Sequence, residues 1–149
     1  MTSSGTLAEL DVREARSPDE VAQALGLRER VFCDEQGVSI AADRDGRDDE
    51  ATHIVAVEGD RVLGTCRLVF RGRIARLGRL AVEPECRGGG VAAAILREAD
   101  RVARRAGAEV ISLHAQTYAL ELYIRDGYVE RGARFMEEGI EHVSMEKLL

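Results

Sequence analysis

The stretch Leu80-Ala-Val-Glu-Pro-Glu-Cys-Arg-Gly-Gly-Gly-Val-Ala-Ala-Ala-Ile-Leu96 constrains this chain more than any other. An apolar strand runs into a Glu-Pro break, three glycines follow, and a helix begins. Glycines at a helix start allow a tight turn. The first N–H groups of the helix have no intrahelical partner and point outward. With the positive end of the helix dipole they make a site for an anion, phosphate above all. Arg87 adds a fixed positive charge beside it.

Three phosphate-binding patterns compete for this turn, next to the plain alternative of an ordinary glycine-rich turn. Gly88-x-Gly90-x-x-Ala93 fits the loose dinucleotide pattern of a nicotinamide-dependent enzyme. That fingerprint opens a doubly wound βαβ unit. Here a hairpin-like stretch precedes it, and too little chain follows for a second half. The P-loop pattern fails, because no Gly-Lys-Ser/Thr follows the glycines. The third pattern is Arg87-x-x-Gly90-x-Ala92. It resembles the Arg/Gln-x-x-Gly-x-Gly/Ala signature of the GNAT superfamily of N-acetyltransferases, whose loop holds the pyrophosphate of acetyl-CoA.

With 149 residues the chain suits one domain, 1–149, with a sizeable core. Hydrophobic residues at 45% and charged residues at 32% fit a soluble globular protein. No apolar run approaches the ~18 residues of a membrane helix. The start, Met-Thr-Ser-Ser-Gly-Thr, lacks a secretory profile, so a cytoplasmic location and no membrane partner are expected. A net charge of −6 argues against a nucleic-acid partner and suits a cationic amine. Cys33, Cys66 and Cys86 are odd in number and far apart, so neither a disulfide framework nor a metal site is expected. Cys86 lies at the glycine turn, where a helix N-terminus can activate a thiol. Without a base partner in the sequence, a small residue in a reducing compartment is the favoured reading.

Along the chain, Leu7 to Glu14 has a strand pattern. Ser17-Pro-Asp-Glu20 starts a helix with a capping box. Val21, Leu25, Val31 and Phe32 lie near one face, and Gly26 is expected to split that helix. The acidic run Asp43 to Glu50 has the wrong spacing for an EF-hand. It is either a solvated loop or the edge of an acceptor pocket. Strands are expected over 53–58, 61–70 and 73–82, as an antiparallel meander with turns at Gly59-Asp60 and Arg71-Gly72. A helix over 90–106 carries the stripe Val91, Ile95, Ala99, Val102 and Ala106, and Gly107 stops it. A strand over 110–114, a short helix over 117–125, and strands over 128–133 and 141–146 complete the chain. The order β-α(α)-β-β-β-α-β-α-β-β is a mixed α+β pattern, not a Rossmann order.

Ala119-x-x-x-Tyr123-x-x-x-Gly127-Tyr128 looks like a second GNAT motif, and its pairing with the glycine loop is more specific than either alone. Arg28-x-x-Val31-Phe32-x-x-Glu35-Gln36-Gly37, Asp45-x-x-Asp48-x-x-Ala51-x-His53, His114-Ala-Gln116 and Glu138-Gly-Ile-x-His142-Val-x-Met145 are similar to ElaA-like members. Glu141 stands where that subfamily usually has Pro, and Ala92 is the small variant of the last loop glycine. The resemblance implies a GNAT acyl-CoA N-acyltransferase fold, with a mostly antiparallel central sheet flanked by helices.

It also implies direct acetyl transfer from acetyl-CoA to a small-molecule or protein amine in a ternary complex, and relatives are often homodimers. The N–H groups of Arg87, Gly88, Gly89, Gly90, Val91 and Ala92 would take the pyrophosphate. Leu80, Ala81 and Val82 would pair with the pantetheine and polarise the thioester carbonyl. Gln116 stands where many relatives have a cofactor-touching Asn. Tyr123 is the expected general acid toward the thiolate. The base is open: Glu83 follows the cofactor strand, and His53, His114 and Glu35 are rivals. Arg28, Arg30, Glu35, His53 and His114 are candidates to line the acceptor site. The rival readings are a different acyl chain and a non-catalytic acyl-CoA-binding sensor.

Overall fold

A computed structural model describes residues 10–149. Seven strands form one sheet in the order β1-β2-β3-β4-β5-β7-β6. They are β1 (Asp11–Glu14), β2 (Thr52–Glu58), β3 (Arg61–Arg71), β4 (Ile74–Val82), β5 (Val110–Gln116), β6 (Val129–Glu137) and β7 (Ile140–Leu148). Every neighbouring pair is antiparallel except β4 and β5, which run parallel. The expected element order and α+β class are therefore present. The part of the expected first strand at 7–9 lies outside the described residues.

The helices are α1 (Pro18–Arg28), α2 (Ile40–Asp43), α3 (Val91–Arg105) and α4 (Leu120–Arg125). Ser17 caps α1: its Oγ accepts from the Glu20 N–H at 3.2 Å, and Glu20 reaches back toward the Arg16 N–H at 2.8 Å. Gly26 does not split this helix. The chain instead widens into a π-helical stretch at Glu29–Glu35. A glycine in a helix weakens it by only about 1 kcal/mol, and packing overrides that here, with Ala24, Leu27 and Val31 buried on the sheet. The 39–50 segment is not a bare solvated loop, since it contains α2 and buries Asp43.

Two cores sandwich the sheet. On one face α3 packs Ile95, Leu96, Ala99 and Val102 against Ile54, Leu68, Leu77 and Ile111. Ala106 of the expected stripe is exposed, and Ala103 is buried in its stead. On the other face α1 packs against Val55, Val57, Val62 and Ala81. Gly64 fixes how closely α3 approaches: a Cβ there would lie 2.7 Å from Ile95 Cδ1 and 3.0 Å from Val91 Cγ1. Glycine here lets the first turn of α3 sit on β3 without displacing Ile95 or Val91.

Candidate functional site

β4 and β5 are paired only over Ile74–Arg76 and Val110–Ser112. Beyond that they part, so the far ends of two parallel strands open into a wedge. β5 stays paired with β7 through Gln116 and β4 with β3 through Val82, so each strand keeps its outer partner as the two splay apart. A bulge directs β4. Thr65 faces Ala81 and Arg67 faces Gly78, which leaves Cys66 opposite both Arg79 and Leu80. Arg79 takes a left-handed φ of 59°, strained for a residue with a side chain. The bulged strand bends and bares its backbone edge toward the gap.

A cleft of about 860 Å³ fills this wedge. Leu80, Ala81, Val82, Arg87, Ala92 and Tyr123 line one end of it. Gly88 and Gly90 have φ of 83° and 88°, so the turn before α3 needs glycine at both. No side chain caps α3. Its first N–H groups are left to an outside acceptor, which is the chemistry of a phosphate site. The Arg87 guanidinium sits between the Val82 carbonyl, 3.1 Å from Nε, and a two-pronged pair with Glu35 at 2.7 and 2.9 Å. That pairing holds the Glu35 carboxyl below its ordinary range and raises Arg87. Cys86 is shifted upward, chiefly by burial, so its thiol is not activated.

Tyr123 projects from α4, its ring edge-on to Tyr128 at 6.0 Å. Burial, more than any neighbouring charge, pushes its phenol above the usual value, so it keeps its proton at neutral pH. A buried, protonated phenol on the cleft wall is fitted to give a proton rather than take one.

The other end of the cleft is built on charge. Arg28 pairs with Asp43 at 3.2 Å and Asp48 at 2.6 Å. Arg67 pairs with Asp45 at 2.5 Å and Asp48 at 3.0 Å. Arg79 reaches the Ala42 carbonyl at 3.1 Å and the Asp43 and Asp45 carboxylates at 3.3 Å each. Three guanidiniums and three carboxylates thus tie the 39–50 segment to the sheet and clamp the left-handed Arg79. Arg67 holds the Asp45 carboxyl far below its ordinary range. Burial works against ionisation of Asp48, but its bonds from Arg28 and Arg67 outweigh it and the net shift is downward.

The residues singled out in the sequence divide accordingly. Leu80, Ala81, Val82, Arg87, Ala92, Gln116, Tyr123 and His114 line one cleft. Gly88, Gly89, Gly90 and Val91 form the turn and first residue of α3 at its end. Arg28 does not line an acceptor pocket. It is 1% exposed, with its donors taken by Asp43 and Asp48. His53 is buried on β2, where its Nε2–H donates to the Asp48 carbonyl at 2.9 Å, away from the cleft. Glu35 meets the cleft only through Arg87. Glu83 points to a separate, smaller pocket, where its carboxylate is held by Arg30 at 2.8 Å and Arg61 at 3.2 Å.

Several lining residues carried no assignment in the sequence: Gln36, Arg67, Arg76, Arg79, Glu137 and His142. Gln36 and Gln116 exchange hydrogen bonds across the cleft, the shorter at 2.9 Å. His142 is the most informative of these. Its Nδ1 lies 2.7 Å from the Ile140 carbonyl. A carbonyl only accepts, so Nδ1 carries the proton and Nε2 holds the lone pair of the neutral ring. The ring is 7% exposed, stacks on Phe135, and lies with Nε2 3.9 Å from Glu137. Its register partner is Gln116, at the open end of β5. His114 shares the cluster, edge-on to Phe135 with Nδ1 3.0 Å from Glu137. The His142 signal was present in the Glu138-to-Met145 motif, but nothing local distinguished it from a structural histidine.

The family model described as "Acetyltransferase (GNAT) domain" matches residues 14–149. The uncharacterized N-acetyltransferase YjcF of Bacillus subtilis is 31% identical over 134 residues, 89% of this chain and 96% of that protein. Among solved structures, a provisionally named N-acetyltransferase of Lactobacillus plantarum superposes with a TM-score of 0.87 at 28% identity, covering 94% of this chain and 98% of that one. Escherichia coli ElaA superposes with a TM-score of 0.82 at 22% identity over 93% and 98% of the two chains, a likeness of fold.

Proposed function

Because the chain belongs to the GNAT acetyltransferase family, we propose that it transfers the acetyl group of acetyl-CoA directly to a primary amine in a ternary complex. The observation that carries the reading is the bulge-bent β4 edge and the uncapped, glycine-cradled start of α3, which flank one end of one cleft. The Arg87 N–H, expected to join the phosphate cradle, is taken by the Pro84 carbonyl at 3.3 Å, so the loop N–H groups from Gly88 to Ala92 suit a pyrophosphate, and the wedge edge of β4 suits the amides of a pantetheine arm. Acetyl-CoA, when bound, supplies the acyl group as a thioester.

This chain's residues then have two protons to handle. His142 Nε2 takes one from the incoming ammonium, and Tyr123 Oη gives one to the departing sulfur and regains one from the acylated nitrogen. A C–N bond forms as the C–S bond breaks, and a thiol leaves. A backbone N–H of the bulged β4 polarises the carbonyl, as in an oxyanion hole. The geometry favours His142 over Glu83 for the first role, since two arginines hold the Glu83 carboxylate outside the cleft.

Thiol release from acetyl-CoA across an amine panel tests the reading. Release that depends on an amine supports it. Binding of acetyl-CoA with no release on any amine refutes catalysis and leaves an acyl-CoA-binding module.

A further inference from the structure

Six arginines line the cleft: Arg47, Arg67, Arg71, Arg76, Arg79 and Arg87. Five have carboxylate partners, on Glu50, Asp45 and Asp48, Glu50 again, Asp43 and Asp45, and Glu35 respectively. Arg76 has none among the described residues. It stands on β4 at the last rung before the strands part, directly opposite Ser112 of β5. The Ser112 hydroxyl is likewise without a partner among the described residues and lines the same cleft. Across Ser112 on β7, Glu146 is engaged by Arg131 at 2.9 Å, so it does not neutralise Arg76. The result is a guanidinium and a hydroxyl at one rung, neither with a partner among the described residues, and open space next to them. A Cβ added at Gly78, two residues on, would touch nothing.

The β6–β7 end of the same cleft has the opposite sign. Glu137 and Glu138 line it, and Glu137 lies near His142. The cleft therefore carries both signs: anionic where an ammonium would be deprotonated, cationic at Arg76. A polyamine would place a second positive charge against Arg76. An amine with an anionic group at its far end satisfies both charges.

Resting on the acetyltransferase reading, we propose that the acceptor is an amine carrying a carboxylate or phosphate several bonds from its nitrogen, with the anion held by Arg76 and Ser112. A guanidinium takes either anion through two parallel N–H bonds. Leu80 in the bulge lies four steps along β4 from Arg76, so at most ~13 Å of strand lies between the anion site and the reacting end. This spacing favours extended acceptors over α-amino acids.

The test compares kcat/KM for ω-amino carboxylates of increasing length, aminoalkyl phosphates of the same lengths, and n-alkylamines lacking the anion. The wild type prefers one anionic series over the alkylamines by about tenfold or more. Arg76→Gln abolishes that preference, Arg76→Lys restores part of it, and Arg105→Gln, an exposed cation outside the cleft, leaves it intact. Whichever anionic series is preferred identifies the source of the anion. Alkylamines turned over as well as both anionic series, or a preference that survives Arg76→Gln, overturns the proposal and spares the acetyltransferase reading. Calorimetric titration of the best ω-amino carboxylate into the protein with coenzyme A reads the site without turnover. Binding weakened by Arg76→Gln supports it, and binding that is absent or indifferent to Arg76 refutes it. Absence of thiol release with every amine refutes the acetyltransferase reading separately.

Discussion

Replacing Tyr123 with phenylalanine separates the chemistry from the fold. The ring is 8% exposed and edge-on to Tyr128, contacts that phenylalanine retains. The forces acting on its phenol are burial and nearby polar groups, with no hydrogen bond among them. Removing the oxygen therefore leaves no partner stranded, and stability should stay within about 0.5 kcal/mol of the parent. A general acid contributes ~10²–10⁴-fold. The lower end applies here. A thiol has an ordinary pKa of ~8.5, and a phenol pushed above 10 is the weaker acid, so its transfer to sulfur is uphill. We expect kcat to fall about 10²-fold, or ~2.7 kcal/mol of barrier, with acetyl-CoA affinity unchanged. Because burial keeps the phenol protonated, the deficit should be constant from pH 6 to pH 9. Thiol release under saturating acetyl-CoA, with calorimetric Kd and a denaturant midpoint on the same samples, measures all three quantities. A full-rate Tyr123→Phe would remove the general-acid role. A variant that loses cofactor affinity or stability would show that Tyr123 acts by packing.

Other consequences fall on the scaffold. Gly64→Val drives a side chain into Ile95 and Val91. It should cost about 1–3 kcal/mol by overpacking and weaken acetyl-CoA binding as α3 is displaced, readable by denaturation and calorimetry. A loss of stability with unchanged affinity would uncouple α3 from the site. Arg28→Met removes the partner that Asp43 and Asp48 share, while Arg79 still reaches Asp43 and Arg67 still reaches Asp48, so it should cost about 3 kcal/mol, the low end for a broken buried pair, whereas a role in acceptor binding would change KM at constant stability. Acid should act on the same network. The folded-state values of Asp45 and Asp48 are depressed, so their contribution is complete above the ordinary aspartate range and is lost as pH falls below it. Denaturant midpoints should hold from pH 7 to about 5 and decline from about 4 downward. A midpoint that rises on acidification would contradict the network's sign.

The element order and the cofactor end were legible because both are written locally. Pro84, the three glycines and the 3.6-residue apolar period of α3 specify a turn and a helix start without help from distant residues. The acceptor end was not legible. Arg28, Asp43, Arg67 and Arg79 come from four separate elements, and only the folded sheet shows that they satisfy one another. Arg28 and His53 looked like site residues because their types suit catalysis; burial and hydrogen bonding make them structural. The bulge at Arg79 carries no sequence signal, since glycine, the usual residue at positive φ, sits one position earlier at Gly78. Glu83 follows the cofactor strand in sequence, yet the turn at Pro84–Cys86 leaves its carboxylate with Arg30 and Arg61.

Isothermal titration of acetyl-CoA into the wild type and Gly90→Glu tests the central claim most directly. Gly90 has a φ of 88° at the start of α3, so a glutamate there strains the turn and sets a negative charge where the pyrophosphate should lie. The wild type should bind one acetyl-CoA per chain, and the variant should bind at least about tenfold more weakly. Equal affinity in the two proteins, or no binding by the wild type, would contradict the assignment of this wedge as an acyl-CoA site.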